Sequence, residues 1–391
     1  MRNSRKLHRH LAAAATAAVV TTGVSVSATA FVLTGLARST SQKHWLATNK
    51  HVNYWQSWKA TAAATLTSWT YNLSIHRTQL DAVAARFRVD DTSSSNRTYQ
   101  TSADHYFQKH QCIPRPSVMH ASLPISKQSA TSSSKSSREK EPIGILVIGD
   151  VHGCFDELML LHEKAIHQNQ GRPFQYVILV GDLVNKGPKS LQVVRYARNQ
   201  PNWYSVRGNH DDGALAAALG DDRRRTQPKY QWILGGLDHH DCLSDEDIEW
   251  LAELPYTLRI PRQILGTLED TMIVHAGFVP GVELEKQEID NMINLRTVKP
   301  ALDKANIDSW TASSSKSDRP WASIYSGPEH VIFGHDARRG LQRQAFATGL
   351  DTGACYGKKL TGLILPSHTL VSVDSLAEHS HIGSQSSGSK Q

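Results

Sequence analysis

Cysteine is scarce in this chain: four residues in 391, Cys112, Cys154, Cys242 and Cys355, with no C-x-x-C pair among them. That argues against a zinc ribbon and against a dense disulfide framework. Apolar residues make up only 39% of the chain and its mean hydropathy is −0.40, which excludes a polytopic membrane protein and describes a mostly soluble chain able to bury a core. Basic residues are lacking where a nucleic-acid footprint would need them. The net charge is +7, yet residues 1–140 hold 18 Lys and Arg against 5 Asp and Glu, and the remainder holds 25 against 31. The part that reads as a domain is therefore mildly acidic, and the basic balance belongs to the N-terminal part.

What is present falls into three pieces, in a length that suits two or three domains of roughly 100–200 residues each. Residues 1–37 open with Arg2, Arg5, Lys6 and Arg9 and continue uncharged from Leu11 to Ala37. This run exceeds the roughly 20 residues needed to cross a bilayer and predicts a signal anchor, basic end in the cytosol. Ala28 and Ala30 leave a cleaved secretory signal open, and the acid-poor start leaves a mitochondrial presequence open. Residues 38–141 show little periodicity beyond an amphipathic stretch from Trp45 to Phe87, and end in the Ser-rich linker Ser126–Glu141. Asn72 and Asn96 stand in glycosylation-type tripeptides.

From Ile143 onward, short apolar runs each end in a polar cluster. Ile143–Ile148 leads to Gly149-Asp150, Tyr176–Val180 to Gly181-Asp182, and Trp203–Val206 to Arg207-Gly208-Asn209-His210; Met272–Val274 leads to His275-Ala276-Gly277, and Val331–Phe333 to Gly334-His335-Asp336. Apolar runs without alternation read as strands buried on both faces, and Phe155–His167 and Lys189–Asn199 have helical spacing between them. The fold class is α/β, with ligands expected beyond the carboxyl ends of the strands, where all five clusters fall. Asp150, His152, Asp182, Asn209, His210, His275 and His335 are metal-ligand residue types. Carboxylate, imidazole and amide oxygen suit divalent Mn, Fe, Zn or Mg, and two such ions sharing one aspartate can acidify a water and clamp the oxygens of a phosphate.

In order and spacing, Gly149-Asp150-Val151-His152-Gly153, Gly181-Asp182-Leu183-Val184, Gly208-Asn209-His210-Asp211, His275-Ala276-Gly277 and Gly334-His335 resemble the calcineurin-like metallophosphoesterases. The resemblance covers about residues 143–368. Gly181–Pro188, the block at Gly208–Asp211, Gly334–Gln342 and Gly349–Gly353 are similar to the ApaH-like phosphatases, relatives of bacterial diadenosine tetraphosphatase. The resemblance implies an α/β/β/α sandwich over residues 142–372, followed by a flexible tail over 373–391. It also implies two divalent ions (Mn, Zn, Fe, Co or Mg), with Asp150 and His152 on the first, Asp182 bridging, and Asn209, His275 and His335 on the second. His210 would act as general acid through a near-neutral pKa, and Lys186 and Arg296, joined by Arg207 or Arg338, would hold phosphate oxygens.

Two departures from the Ser/Thr protein phosphatases bear on the substrate. Asn185-Lys186 stands where those enzymes carry Asp-Arg, and Asp211 where they carry Glu. Asn185 removes a charge that would raise the pKa of the neighbouring histidine, and lysine lacks arginine's two-pronged grip. Residues 214–270 read as a helical insertion, either a packed subdomain or a cap over the cleft, while Cys154 reads as a packing residue and Arg223–Arg225 as a solvated run. The expected activity is hydrolysis of a phosphoanhydride, a small molecule or a polyanion. Inorganic polyphosphate fits a membrane-tethered vacuolar or endomembrane location best, dinucleoside polyphosphate comes next, and capped RNA fits the acidic domain worst. A protein phosphatase and a non-catalytic phosphate-binding protein are the alternatives; mitochondrial, secretory and cytoplasmic locations stay open, as does the oligomeric state.

Overall fold

The computed structural model describes residues 101–125, 144–234, 242–301 and 309–381. The expected anchor, the Trp45–Phe87 stretch, both glycosylation-type tripeptides and the serine linker lie outside them. Among the described residues no helix is long and apolar enough to cross a membrane.

Helix α1 (Ser102–Lys109) and strand β1 (His120–Ser122) come first, then β2 (Ile145–Ile148), α2 (Phe155–Gln168), β3 (Tyr176–Leu179), α3 (Ser190–Asn199), β4 (Trp203–Ser205) and α4 (Asn209–Leu219). A 3₁₀ segment, Pro228–Leu234, and α5 (Asp245–Ala252) lead to β5 (Thr257–Ile260), β6 (Thr271–Val274) and α6 (Ile289–Asn294). Strands β7 (Thr297–Pro300), β8 (Trp310–Ser313), β9 (Arg319–Pro320), β10 (His330–Phe333), β11 (Gln342–Arg343), β12 (Ala347–Gly349), β13 (Lys359–Leu365) and β14 (Thr369–Asp374) complete the chain order.

Two sheets face each other. One runs β14-β13-β2-β3-β4 and the other β1-β5-β6-β10-β12-β11, with β8-β7-β9 as a small third sheet. Every residue of β2, β3 and β6 is buried, as unalternating apolar runs require. Ile145, Val147, Ile178, Ile273 and Ile332 fill the space between the sheets. On the far face of the first sheet, Leu146, Ile148, Val177 and Leu179 pack on Leu158 and Leu161 of α2 and Val193 and Val194 of α3. Across the other sheet, Met272, Val274, Val331 and Phe333 pack with Tyr106 of α1 and Met292 of α6. This is the α/β/β/α sandwich read from the sequence.

Three expected boundaries shift. The insertion over residues 214–270 is not helical throughout; Thr257–Ile260, lying between Ala252 and a short helical turn at Arg262–Leu265, is instead β5, paired antiparallel with β6, three of its four side chains buried. The domain starts before residue 142, since β1 pairs in parallel with β5 and Tyr106 is in the core. At the other end β14 passes residue 372, and the expected tail is held as far as His381: the Leu376 amide donates to Glu157 Oε1 (2.9 Å) and the His379 amide to Cys355 O (2.9 Å).

Candidate metal centre

The loops after β2, β3, β4, β6 and β10 converge, and they are built from backbone that most side chains avoid. His152, Asp182, Asn185, Lys186 and His335 all have positive φ, between 48° and 69°. Left-handed backbone costs a non-glycine residue about 1–2 kcal/mol, so such residues persist only where their surroundings hold them. Two glycines let the backbone close in: a Cβ on Gly208 would strike Asp182 Oδ1, and one on Gly334 would strike Asp150 Oδ1.

Asp182 stands at the centre. Its Oδ2 lies 3.4 Å from His152 Nε2 and its Oδ1 3.3 Å from His275 Nε2, so each carboxylate oxygen faces one imidazole. The outer nitrogens are already engaged: His152 Nδ1–H meets Val184 O at 3.0 Å, and His275 Nδ1–H meets Val180 O at 2.9 Å. Those bonds fix the ring orientations and turn both Nε2 atoms inward. Asn209 Oδ1 stands 3.2 Å from His275 Nε2. His335 is turned the other way, Nε2 against Asn294 O at 3.2 Å, which leaves Nδ1 as its free donor atom. Asp150 accepts the His335 backbone amide on both oxygens, at 3.1 and 3.0 Å, and lies 4.0 Å from His152 Nε2. All six predicted ligands are thus brought together. Donor atoms of Asp182, His275 and His335, and separately of His152, Asp182 and His210, lie within 4.8 Å of one another.

The electrostatics ask for cations. Asp150 is pushed well above the usual carboxylate range by burial and then by Asp351, and Asp351 is raised by its own burial. Asp211 is pushed up to about 7 by burial and the Asp182 charge. Asp182 alone ionises readily, because His275, His210 and His152 outweigh its burial. His275 answers it: against the pull of burial, Asp182 raises its pKa to about 9. Three acids that resist ionisation beside one that does not, facing inward imidazole nitrogens, fit a pair of divalent ions.

The surrounding residues brace this centre. Asp211 accepts the backbone amides of Asp182 (2.9 Å), Leu183 (3.0 Å) and Gly208 (2.9 Å), tying the β3 loop to the start of α4. Lys186 Nζ donates to His152 Nε2 at 2.6 Å, the same lone pair that a metal ion would take, and lies over the Tyr356 ring. Arg296 lines the cleft and donates to His335 O (3.1 Å), and Arg338 is exposed on the cleft wall. Arg207 is corrected: it is fully buried away from the cleft, bonded to Asp212, Tyr256 and Pro114 O, because it follows β4 inward. Arg225 is also not a solvated charge; it donates to Ala217 O and Ala218 O at the end of α4. Cys154 is a buried packing residue, as read, with a thiol raised to about 12 by burial.

His210 differs from expectation in its state. Trp232 Nε1–H donates to Asn185 Oδ1 at 2.7 Å, which turns the Asn185 amide nitrogen towards His210 Nδ1 at 3.2 Å. An N–H donor on Nδ1 requires a neutral ring with its proton on Nε2. Burial also brings the His210 pKa down to about 3, against the pull of Asp182, so the near-neutral value read from the sequence does not hold. In the free protein His210 is a hydrogen-bond donor, not an imidazolium. Sequence reading placed Asn185 beside this histidine but missed Trp232, Asp351 and the bracing role of Asp211. Trp232 lies in the insertion, beyond any local spacing rule, whereas Asp351 sat in a recognised block, Gly349–Gly353, with no role attached.

A family model described as calcineurin-like phosphoesterase matches residues 143–342. The symmetrical bis(5'-nucleosyl)-tetraphosphatase of Serratia proteamaculans is 30% identical over 267 residues, 56% of this chain and 89% of that one. The asymmetrical bis(5'-nucleosyl)-tetraphosphatase PrpE of Halalkalibacterium halodurans is 27% identical over 239 residues, 59% of this chain and 93% of its own. A crystal structure of a protein proposed to be a diadenosine tetraphosphatase superposes with a TM-score of 0.50 at 31% identity, over 66% of this chain and 98% of that one.

Proposed function

Since the chain belongs to the calcineurin-like phosphoesterase family, we propose that it hydrolyses phosphoanhydride bonds in chains of phosphate, with a phosphate and not an alcohol as leaving group. The observation that carries this reading is the neutral His210. Water oxygen bonds to phosphorus as the bridging P–O bond breaks, and the bridging oxygen departs with the far phosphate. A phosphate whose second proton titrates near about 6 leaves as an anion, so a hydrogen bond from His210 Nε2–H suffices. A serine alkoxide must take a full proton as it leaves, and a ring held neutral by Asn185 and Trp232 is poorly placed to give one.

Asp150, His152 and Asp182 would hold one divalent ion and Asp182, Asn209, His275 and His335 the other. When bound, the pair supplies Lewis acidity, making water a better nucleophile at neutral pH and offsetting phosphate charge. The protein's own groups do the rest. Asp182, shared between two imidazoles, sets the spacing, while Lys186 and Arg296 present ammonium and guanidinium groups to the same cleft, whose volume is about 1320 Å³.

That cleft has one aromatic side chain in its lining, Tyr356, already covered by Lys186. A wall of cations without stacking platforms recognises phosphate more than base, which keeps inorganic polyphosphate ahead of dinucleoside polyphosphate in this proposal. The test is phosphate release by the purified chain with Mn, Zn, Co or Mg, on polyphosphate, diadenosine tetraphosphate and a phosphoserine peptide. Both anhydrides turning over faster than the peptide is the expected result; a preference for the peptide overturns the reading. The tether proposed for residues 1–37 rests on sequence alone and is checked by whether a fluorescent fusion of the full chain sediments with membranes.

A further inference from the structure

The cleft holds several cations, and most are already spoken for. Lys109 pairs with Asp290 at 3.4 Å, Arg339 with Asp336, and Lys186 with His152 at 2.6 Å. Lys229, like Lys316 and Arg338, has no carboxylate partner among the described residues; it rises from the 3₁₀ segment Pro228–Leu234 and lines the cleft with His210 and Lys186. Its ammonium lies over the face of the Tyr230 ring, 4.9 Å from the centroid.

Resting on the reading that phosphate is the leaving group, we propose that Lys229 binds the departing phosphate and so makes the site select anhydrides over simple esters. Its position argues for this. Lys229 lines the same cleft as His210 and Lys186, the groups that face the substrate in this reading. His210 donates to the bridging oxygen; the next charged atoms along the substrate are the oxygens of the phosphate that leaves. Partial burial, then Arg224 and Lys186, lower the pKa of Lys229 itself, so the free protein carries a cation crowded by cations, a state that an anion relieves.

The selectivity follows from where charge develops. As the bridging bond breaks, the leaving phosphate gains negative charge, and a cation beside it stabilises the transition state more than the ground state. The leaving group of an aryl ester carries no phosphate for Lys229 to hold. A lysine on a flexible stem also suits chains of unequal length, since it grips a phosphate as a point charge and not through a fixed fork.

The experiment uses the full chain, saturated with Mn, as wild type, Lys229→Ala and Lys229→Arg, with kcat/KM measured on diadenosine tetraphosphate and on p-nitrophenyl phosphate. Losing a charge-assisted contact lowers the anhydride-to-ester ratio in Lys229→Ala by about tenfold to a hundredfold, with most of it recovered in Lys229→Arg. An unchanged ratio, whether from equal losses or from none, overturns the proposal. The outcomes separate from the reading beneath it. A wild type that turns over only the ester removes the phosphate leaving group and this proposal together, whereas a wild type that prefers the anhydride, with a ratio that Lys229→Ala does not move, removes Lys229 alone.

Discussion

Two buried charged clusters lie in this fold, and they are satisfied in opposite ways. Around Arg207 a buried cation meets a buried carboxylate, with only its Nε left without a partner. Its guanidinium donates to Asp212 Oδ1 (3.2 Å), to Pro114 O (2.9 Å) and to Ala252 O, and Asp212 Oδ2 takes the hydroxyls of Tyr106 (2.7 Å) and Tyr256 (3.0 Å). Around Asp182 it is otherwise: Asp150, Asp211 and Asp351 crowd beside it with raised pKa values, and imidazole nitrogens turn inward. The first cluster is a joint, tying α1, the start of α4 and the approach to β5 together. The second is an arrangement that makes sense only when cations arrive from outside. Burial of charge alone therefore does not mark a functional site; buried acids crowded on one another until they resist ionisation do.

The contrast is broken most directly at its centre. Asp182→Asn removes the shared ligand and is expected to lower turnover on the order of a thousandfold, with metal bound per chain falling as well. Phosphate release and elemental analysis on one preparation check both.

At the other cluster the expected loss is in folding. Arg207→Met leaves Asp212 as an uncompensated buried charge and costs about 3–5 kcal/mol, read from urea unfolding. The metal content of the remaining folded protein is expected to stay unchanged. A loss of metal without loss of stability would invert the assignment of the two clusters.

Acidity separates them further. His275 has its folded-state pKa raised from 6.5 to about 9, so its stabilising contribution is whole below pH 6.5 and is lost as the pH rises through 9. Asp211, raised from 3.8 to about 7, acts in the same sense: its protonated form favours the fold, and that advantage is gone above 7. The thermal midpoint of chelator-treated protein is therefore expected to fall between pH 6 and 9. Metal-loaded protein should show a flatter profile, because cations then do what the protons did. Tyr106 and Tyr256, held protonated chiefly by burial, add nothing to this slope.

The smallest expected change sharpens the functional side. Asn185→Asp places a carboxylate beside His210 Nδ1, reverses the tautomer and raises the histidine pKa. The ratio of phosphoester to phosphoanhydride turnover is expected to rise about tenfold, most clearly below neutral pH.

Much of this was legible because strands buried on both faces announce themselves, and because the candidate metal ligands sit directly at their ends. Asp150, Asp182, Asn209, His275 and His335 needed only the rule that a parallel strand delivers its chemistry at its carboxyl end. β5 was hidden in the insertion because four residues between prolines carry too little pattern to outvote the helical sequence before them. β1 was hidden for a related reason: His120-Ala121-Ser122 is not an apolar run, and it is a strand because β5 offers it an edge. The state of His210 was legible in direction, since Asn185 pointed to a lowered pKa. Its extent was not, because burial and the Trp232 indole come from segments remote in sequence.

The attachment of α1 and β1 has a mechanical side. The domain is entered at Thr101 through α1, whose Tyr106 is pinned to Asp212, and then through β1 laid along β5. Tension applied at Thr101 is resisted there, as shear against the six-stranded sheet and strain in the Arg207 joint. β2, which leads to the candidate ligands Asp150 and His152, follows only after Leu123, so a pull at Thr101 is spent before it reaches them. Tugging of that kind can peel an edge strand while leaving the hydrolytic loops under no load.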